Sequence, residues 1–147
     1  MIRIDETPLD PAALTAEFMR SVGDAGAVAT FSGIVRREGD HAVDALFLDH
    51  APGLTRAAIE NAVKKACARW PLINHLVAHR VGRVGSGETV VFVATAAAHR
   101  RAAFEACDFL MDFLKTDAPF WKKQISRGGE EWIEPRAEDY ADRGRWR

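Results

Sequence analysis

Residues 99–123 are the stretch that most constrains how this chain can fold. Their apolar side chains recur at steps of three and four, which predicts a helix with one buried face. Basic side chains stand at both ends of that helix: His99, Arg100 and Arg101 at its start, and Lys115, Lys122 and Lys123 at or beyond its end. Free helix amides and clustered cations favour an anion. The stretch therefore predicts a pocket for a phosphorylated small molecule, with a lysine as the reacting group.

Shorter patterns on either side of this helix alternate between strands and helices. Strands are predicted at residues 2–6, 27–35, 43–50, 73–81, 88–96, 120–125 and 131–134, and helices at 11–22 and 55–70. Asp10 and Thr55 are the expected N-caps of the two helices. The order β-α-β-β-α-β-β-α-β-β predicts an α+β fold with a largely antiparallel sheet and packed helices.

Three segments are predicted to be loops or loosely ordered. Residues 36–40 are charged and follow a strand, so Arg36 is either part of a solvated turn or points into a site. Residues 82–87 are rich in glycine and are interpreted as a hairpin turn, because they do not join a strand to a helix as a phosphate-binding loop would. The 147 residues predict one domain, 1–147, with 136–147 as a flexible tail in which Arg136 and Trp146 are able to dock.

Composition restricts the class of protein. The chain is 48% hydrophobic and 28% charged, which is enough for one core, and its formal net charge of −1 disfavours a nucleic-acid-binding protein. No secretory signal and no membrane-spanning run is visible, so we expect a cytoplasmic protein without a membrane partner. Cys67 and Cys107 fall in helical patterns and are expected to be buried free thiols. No metal-ligand spacing occurs, and His75 and His79 are interpreted as solvated or core-edge side chains.

Several unusual residues in fixed order resemble a known family. They are Thr30-Phe31-Ser32-Gly33 with Val35-Arg36, His50 with Pro52-Gly53, Arg69-Trp70-Pro71-Leu72, His79-Arg80-Val81-Gly82, Gly87-Glu88, Ala98-His99-Arg100, and Lys115-Thr116 with Ala118-Pro119-Phe120-Trp121-Lys122. In these positions the chain resembles the large, catalytic subunit of molybdopterin synthase, the MoaE family. The resemblance runs from about residue 24 to the tail.

The resemblance implies a fold, partners and an activity. Such proteins adopt an α/β hammerhead fold and form a homodimer within a heterotetramer. Each binds a small ubiquitin-like sulfur carrier, whose C-terminal Gly-Gly ends in a thiocarboxylate. Sulfur passes from this thiocarboxylate to cyclic pyranopterin monophosphate and forms the dithiolene of molybdopterin. Neither a metal nor another cofactor is expected at this step.

The same resemblance assigns roles to individual residues. Lys115 is the expected principal acid/base group, and Lys122 is a second catalytic group that binds phosphate or transfers a proton. Asp117 adds a negative charge that works against a base role for Lys115. The other expected substrate-binding residues are Arg36, His99, Arg100, Lys123, Gln124 and Arg136, with Arg136 contacting either the carrier or the substrate.

Two alternatives come from other classes of protein. The first is a non-catalytic module that binds a ubiquitin-like tail or a phosphometabolite. The second is an RNA-binding domain that uses the basic cluster, which the near-neutral charge disfavours. Within the enzymatic interpretation, the positions of Cys67 and Cys107 on apolar stripes predict that the sulfur arrives on the partner rather than on an enzyme thiol.

Overall fold

The computed structural model describes residues 1–36 and 43–146, so residues 37–40 of the predicted loop at 36–40 lie outside the described residues. Eight strands and four helices occur in this part of the chain. They are β1 (Ile2–Asp5), α1 (Pro11–Met19), β2 (Ala27–Ile34), β3 (Val43–His50), α2 (Pro52–Arg69), β4 (Leu72–Arg80), β5 (Gly82–Gly85), β6 (Thr89–Ala97), α3 (Arg100–Thr116), β7 (Phe120–Ser126), β8 (Gly129–Ile133) and α4 (Ala137–Arg143), followed by a 3-10 turn at Gly144–Trp146. None of the described helices is long and apolar enough to cross a membrane.

The larger sheet has the strand order β1-β4-β6-β2 and carries the main core. β1 is parallel to β4, whereas β4 and β2 are both antiparallel to β6. Because side chains alternate along a strand, each sheet face has its own core. Leu14 and Phe18 of α1 pack on one face, and the other face is covered by α2 and α3. The predicted α+β class with mostly antiparallel pairing is confirmed.

The central helix α3 is fixed to the larger sheet at its start. Its buried face includes Ala103, Leu110 and Leu114, as the apolar spacing predicted. The buried hydroxyl of Thr95 on β6 donates a hydrogen bond to the carbonyl of Ala103 over 2.7 Å. The helix therefore lies with one end over the middle of the sheet and carries Lys115 in its last turn.

A second sheet, with the order β5-β3-β7-β8, brings distant parts of the chain to the end of α3. The predicted hairpin turn at 82–87 is wrong in part, because residues 82–85 form β5 and pair with β3. Only the remainder turns, where Gly87 has a φ of +87° that glycine adopts without strain. A small core of Val35, Leu48 and Val84 lies beneath this sheet.

The helix limits differ from the prediction in two places. α1 keeps its predicted N-cap at Asp10 but ends at Met19 rather than near Val22. α2 begins at Pro52, so Thr55 is not its N-cap. Thr55 is instead fully buried, and its hydroxyl donates to the carbonyl of Pro119 over 3.2 Å. This contact ties the start of α2 to the segment between α3 and β7.

The C-terminal residues, predicted to be a flexible tail, are regular as far as residue 146. Residues 137–143 form α4, and the 3-10 turn that follows places Trp146 against Trp70 and Phe109, with ring centroids 5.5 and 5.8 Å apart. The indole N–H of Trp146 donates to the buried carboxylate of Asp112 on α3. The sequence allowed Trp146 to dock but did not reveal its partners, because they are far away in sequence.

Candidate active site

Two lysines predicted to be catalytic lie within electrostatic range of each other, near the end of α3 and the start of β7. Lys115 occupies the last turn of α3, and Lys122 is the third residue of β7. The positive charge of Lys115 acts on Lys122, and the charges of both lysines act on His79 at the end of β4. We call Lys115, Lys122 and His79 the lysine cluster. One helix and two strands from different sheets supply it.

His79 forms a buried, neutral wall of the lysine cluster. Its side chain is only 4% exposed, and its ring stacks on Phe120 with centroids 4.1 Å apart and planes inclined by 20°. Nδ1 lies 2.8 Å from the carbonyl oxygen of Arg80, which only accepts, so the proton belongs on Nδ1. Burial, with the charges of Lys122 and Lys115, lowers the pKa of His79 to about 3. The ring is therefore uncharged at physiological pH.

The amine of Lys122 titrates below its ordinary range. Burial, followed by repulsion from Lys115, lowers the pKa of Lys122 from its ordinary value to about 8, whereas Asp139 on α4 opposes the shift. Roughly one Lys122 side chain in ten is then neutral at pH 7. An amine in this range both donates and accepts protons, as acid–base catalysis requires.

The segment between the two lysines is held in place by contacts with α2 and α4. Thr55 binds Pro119 from one side, and Asp117 forms an ion pair with Arg143 on α4 from the other. Asp117 therefore has a cationic partner of its own. The sequence suggested that the negative charge of Asp117 would work against a base role for Lys115. In the structure, the Asp117 carboxylate pairs with Arg143 instead.

Arg36 lies next to the small core beneath the smaller sheet. It follows Val35, which packs with Leu48 and Val84 in the small core that Phe120 also contacts. The main chain of Val35 is fixed by two hydrogen bonds, from its N–H to the Glu88 carbonyl and from the Gly87 N–H to its own carbonyl. Arg36 is exposed at this fixed point.

His99 and Arg100 lie at the opposite end of α3 from Lys115. His99 is the N-cap of the helix and Arg100 its first residue, and both side chains are exposed. α3 has 17 residues, so its ends are separated by about 25 Å. The prediction that the whole stretch 99–123 builds one pocket is therefore wrong for a single chain, because a straight helix holds its two basic ends apart.

Strand alternation separates the remaining residues of β7. Lys123 points to the other face from Lys122, where its ammonium forms an ion pair of 2.8 Å with Glu130 and lies 5.2 Å from the Trp132 ring centroid. Gln124 shares the face of Lys122. The structure thus places Gln124 on the side of the lysine cluster and Lys123 on the outer surface of the smaller sheet.

Arg136 lies at the start of α4 and is largely solvated. Its side chain is 71% exposed and pairs with Glu138 at 3.5 Å and with Asp139 at 3.7 Å. Asp139 is only 14% exposed and faces inward. The helix that Arg136 begins therefore approaches the lysine cluster through Asp139 rather than through Arg136.

Sequence reasoning missed the contributions of His79 and Asp139. The signal for His79 was present, since it shares a strand face with Val77, a residue of the main core. Asp139 stands in an acidic first turn after Pro135, a pattern that marks a helix start. Neither signal reveals that the two residues approach Lys122, because that proximity depends on how β4 and α4 pack.

The two cysteines differ in exposure. Cys107 is buried on α3, and burial raises its thiol pKa to about 12. Cys67 is exposed, so its predicted place on the buried stripe of α2 is wrong. Within residues 1–36 and 43–146, no group of three or more metal-binding side chains comes together.

Known proteins resemble this chain over most of its length. The sequence model of the family described as "MoaE protein" matches residues 4–117. A protein of Caulobacter vibrioides named "Molybdopterin synthase catalytic subunit" is 48% identical over 146 residues, covering 99% of this chain and 97% of the relative. This chain belongs to the MoaE family.

Solved structures extend the comparison to three dimensions. A molybdopterin biosynthesis MoaE protein from Burkholderia ambifaria matches with a TM-score of 0.84 and 41% identity, covering 99% of this chain and 97% of that one. A complex of subunits 1 and 2 of the molybdopterin-converting factor from Helicobacter pylori matches in fold, with a TM-score of 0.79, 23% identity and coverage of 92% and 91%. These matches confirm the fold that the resemblance implied.

Proposed function

We infer that this chain is the catalytic subunit of a molybdopterin synthase and transfers sulfur during molybdenum cofactor biosynthesis. Its substrate in this proposal is cyclic pyranopterin monophosphate, and the sulfur donor is the C-terminal thiocarboxylate of a small ubiquitin-like carrier. Membership of the MoaE family supports this function. The observation that carries it is the pairing of Lys115 with the partly buried Lys122, whose pKa is about 8, against His79 and Phe120.

The lysine cluster supplies what the proposed chemistry needs. Attack by the thiocarboxylate, opening of the cyclic phosphate and loss of water each move a proton. Lys122 exchanges protons near neutral pH, while Lys115 provides a second cation for the phosphate or the carrier terminus. His79 is neutral and therefore adds no further positive charge. Arg36 completes the anion-binding set from the end of β2.

The sulfur enters on the carrier in this proposal. Cys107 is buried with a pKa raised to about 12, so it forms almost no thiolate at neutral pH. Cys67 is exposed, but it lies on α2, which contributes no side chain to the lysine cluster. Both thiols are thus poorly suited to carry the transferred sulfur.

His99 and Arg100 join the site from a second copy of the chain in this proposal. The length of α3 keeps them about 25 Å from Lys115 within one chain. A homodimer that places the start of one α3 beside the end of the other unites both basic clusters. Two carriers then complete a heterotetramer, in keeping with the two-subunit complex of the Helicobacter pylori relative. We assign the assembly to the cytoplasm.

The direct test is mass spectrometry of the pterin product. The precursor is incubated with this protein and a thiocarboxylated carrier, and product mass reports the addition of two sulfurs. We expect Lys115→Ala and Lys122→Ala each to slow the transfer about a hundredfold or more. Lys64→Ala, which removes an exposed lysine of α2, is the matched control and should leave the rate unchanged. Near-normal transfer by both cluster variants would remove the lysines from the mechanism.

A non-catalytic binding module is the second candidate. It would dock the carrier tail on the same cations without turnover. The lowered pKa of Lys122 favours chemistry over docking, because simple attraction of an anion is best served by a permanently charged amine. Tight carrier binding with no product in the same mass-spectrometric assay would support the binding module.

A further inference from the structure

Arg80, the last residue of β4, carries a buried charge next to the lysine cluster. Its carbonyl oxygen accepts the 2.8 Å hydrogen bond from Nδ1 of His79, so its main chain belongs to the wall of that cluster. The side chain of Arg80 is only 7% exposed. A buried guanidinium is costly unless it is paired, so the position of Arg80 depends on the partners that surround it.

The guanidinium of Arg80 binds β5 and the turn that joins β5 to β6. One of its terminal nitrogens donates to the carboxylate of Glu88, and the other donates to the carbonyl of Arg83 over 3.2 Å. The second carboxylate oxygen of Glu88 accepts a 3.3 Å hydrogen bond from the N–H of Gly85. A Cβ atom at Gly85 would lie 2.6 Å from that oxygen, so glycine leaves the space that the carboxylate occupies. The turn is therefore fastened to the end of β4.

The main chain of the same turn holds the end of β2. The N–H of Val35 donates to the carbonyl of Glu88 over 3.0 Å, and the N–H of Gly87 donates to the carbonyl of Val35 over 2.7 Å. Val35 is 3% exposed, and Arg36 is the next residue of the chain. Glu88 thus binds Arg80 with its side chain and the residue before Arg36 with its main chain.

We propose that Arg80 is a positioning residue for Arg36: its buried ion pair with Glu88 fixes the turn that holds Val35, and so sets Arg36 relative to the lysine cluster. The inference rests on the proposed function, in which Arg36 binds the phosphate of the substrate. The hydrogen-bonded path from Arg80 to Val35 is a property of the free chain.

The ion pair is present at neutral pH and suits an arginine. The hydrogen bond from Arg80 lowers the pKa of the Glu88 carboxyl, which therefore stays ionised. The planar fork of a guanidinium reaches two acceptors at once, here the Glu88 carboxylate and the Arg83 carbonyl. A lysine supplies the same charge from a single point and holds the turn less firmly.

Amide hydrogen exchange of the full chain, measured by nuclear magnetic resonance, tests the path from Arg80 to Val35. Arg80→Met removes the charge at similar length, and we expect the N–H groups of Val35 and Gly87 to exchange at least about tenfold faster. Arg80→Lys keeps the charge and should restore part of the protection. Arg83→Met removes a neighbouring exposed arginine side chain and should leave the exchange unchanged. If Arg80→Met does not fold, Glu88→Gln weakens the same ion pair from its 49% exposed side.

Steady-state kinetics of sulfur transfer, with the precursor concentration varied, separate positioning from stability. We expect Arg80→Met to raise KM for the precursor about tenfold and to change kcat by less than about twofold. A purely structural role would reduce the amount of folded enzyme, and therefore kcat, and leave KM unchanged. In an Arg36→Ala background, Arg80→Met should raise KM no further, because it acts through Arg36.

Three results would overturn the proposal: unchanged exchange at Val35 in Arg80→Met, an equal effect of Arg83→Met, or a rise in KM that persists in full in the Arg36→Ala background. The exchange measurement needs neither carrier nor precursor. An absence of sulfur transfer by the parent chain would refute the proposed function instead, and the exchange at Val35 would still decide whether Arg80 holds the end of β2.

Discussion

At the scale of single residues, burial and the nearby charge of Lys115 disfavour the charged form of Lys122. Its pKa is about 8 in the folded chain against an ordinary 10.5, so the folded state holds the proton less firmly than the unfolded state. Below pH 8 the folded and the unfolded protein both carry the Lys122 proton. The unfavourable charge then lowers the free energy of unfolding by its full amount. Between pH 8 and 10.5 the folded state releases it first, so the stability of the protein rises with pH across this window.

Lys122→Met should therefore stabilise the protein while it abolishes sulfur transfer. The methionine fills a similar volume without a charge, and we expect the free energy of unfolding at pH 7 to rise by roughly 2 kcal/mol. Urea denaturation at several pH values checks this. The difference between variant and parent should shrink as pH rises from 8 towards 10.5. A difference that is constant with pH would contradict the assigned burial of the Lys122 charge.

At the scale of secondary-structure elements, the C-terminal arm, residues 136–146, depends on one anchored aromatic residue. Trp146 lies against Trp70 and Phe109, and the Arg69 guanidinium donates to its carbonyl oxygen. α4 itself buries no residue completely. Its order therefore comes from the anchor and the ion pairs to α3 rather than from helix propensity.

Trp146→Ala should release this arm without unfolding the sheets. We expect a loss of roughly 2 kcal/mol in the free energy of unfolding, because a partly buried ring and a hydrogen bond to Asp112 disappear. Hydrogen exchange should show lost protection in α4 while β4 and β6 stay protected. Trp132→Ala, which removes a ring that is 59% exposed, is the control and should leave α4 unaffected. Full protection of α4 in Trp146→Ala would contradict this account.

At the scale of the whole molecule, α3 determines how the proposed active site is assembled. The helix has 17 residues, so its two basic ends lie about 25 Å apart and contribute to two different places. A site that uses both ends must be shared between two copies. Its completeness is then a property of the dimer and not of the chain.

Mixing of inactive variants tests this sharing. Arg100→Ala and Lys115→Ala are each expected to be inactive as homodimers. After subunit exchange, half of the dimers are mixed and each holds one intact site, so about a quarter of the normal activity should return. A mixture of Lys115→Ala with Lys122→Ala should stay inactive, because the lysine cluster comes from a single chain. Equal results from the two mixtures would refute the shared site.

Local patterns in the sequence predicted most of the elements. The cap at Asp10 and the buried stripe of α3 both follow from spacing within a few residues. The predictions failed where the partner was remote. Residues 82–85 resembled a turn because their pairing with β3 is non-local, and the tail resembled a solvated segment because its anchor, Asp112, lies on another helix.

The sequence by itself determined the α+β class and the family, and it identified the catalytic lysines as candidates. It did so because periodicity and residue identity can be recognised within short stretches of sequence. Only the tertiary structure decided that Lys122 is partly buried within electrostatic range of Lys115 and His79, that Lys123 faces away from them, and that His99 and Arg100 lie at the far end of α3. The physical reason is that burial and charge proximity depend on which segments pack together, and packing joins residues that the chain holds far apart.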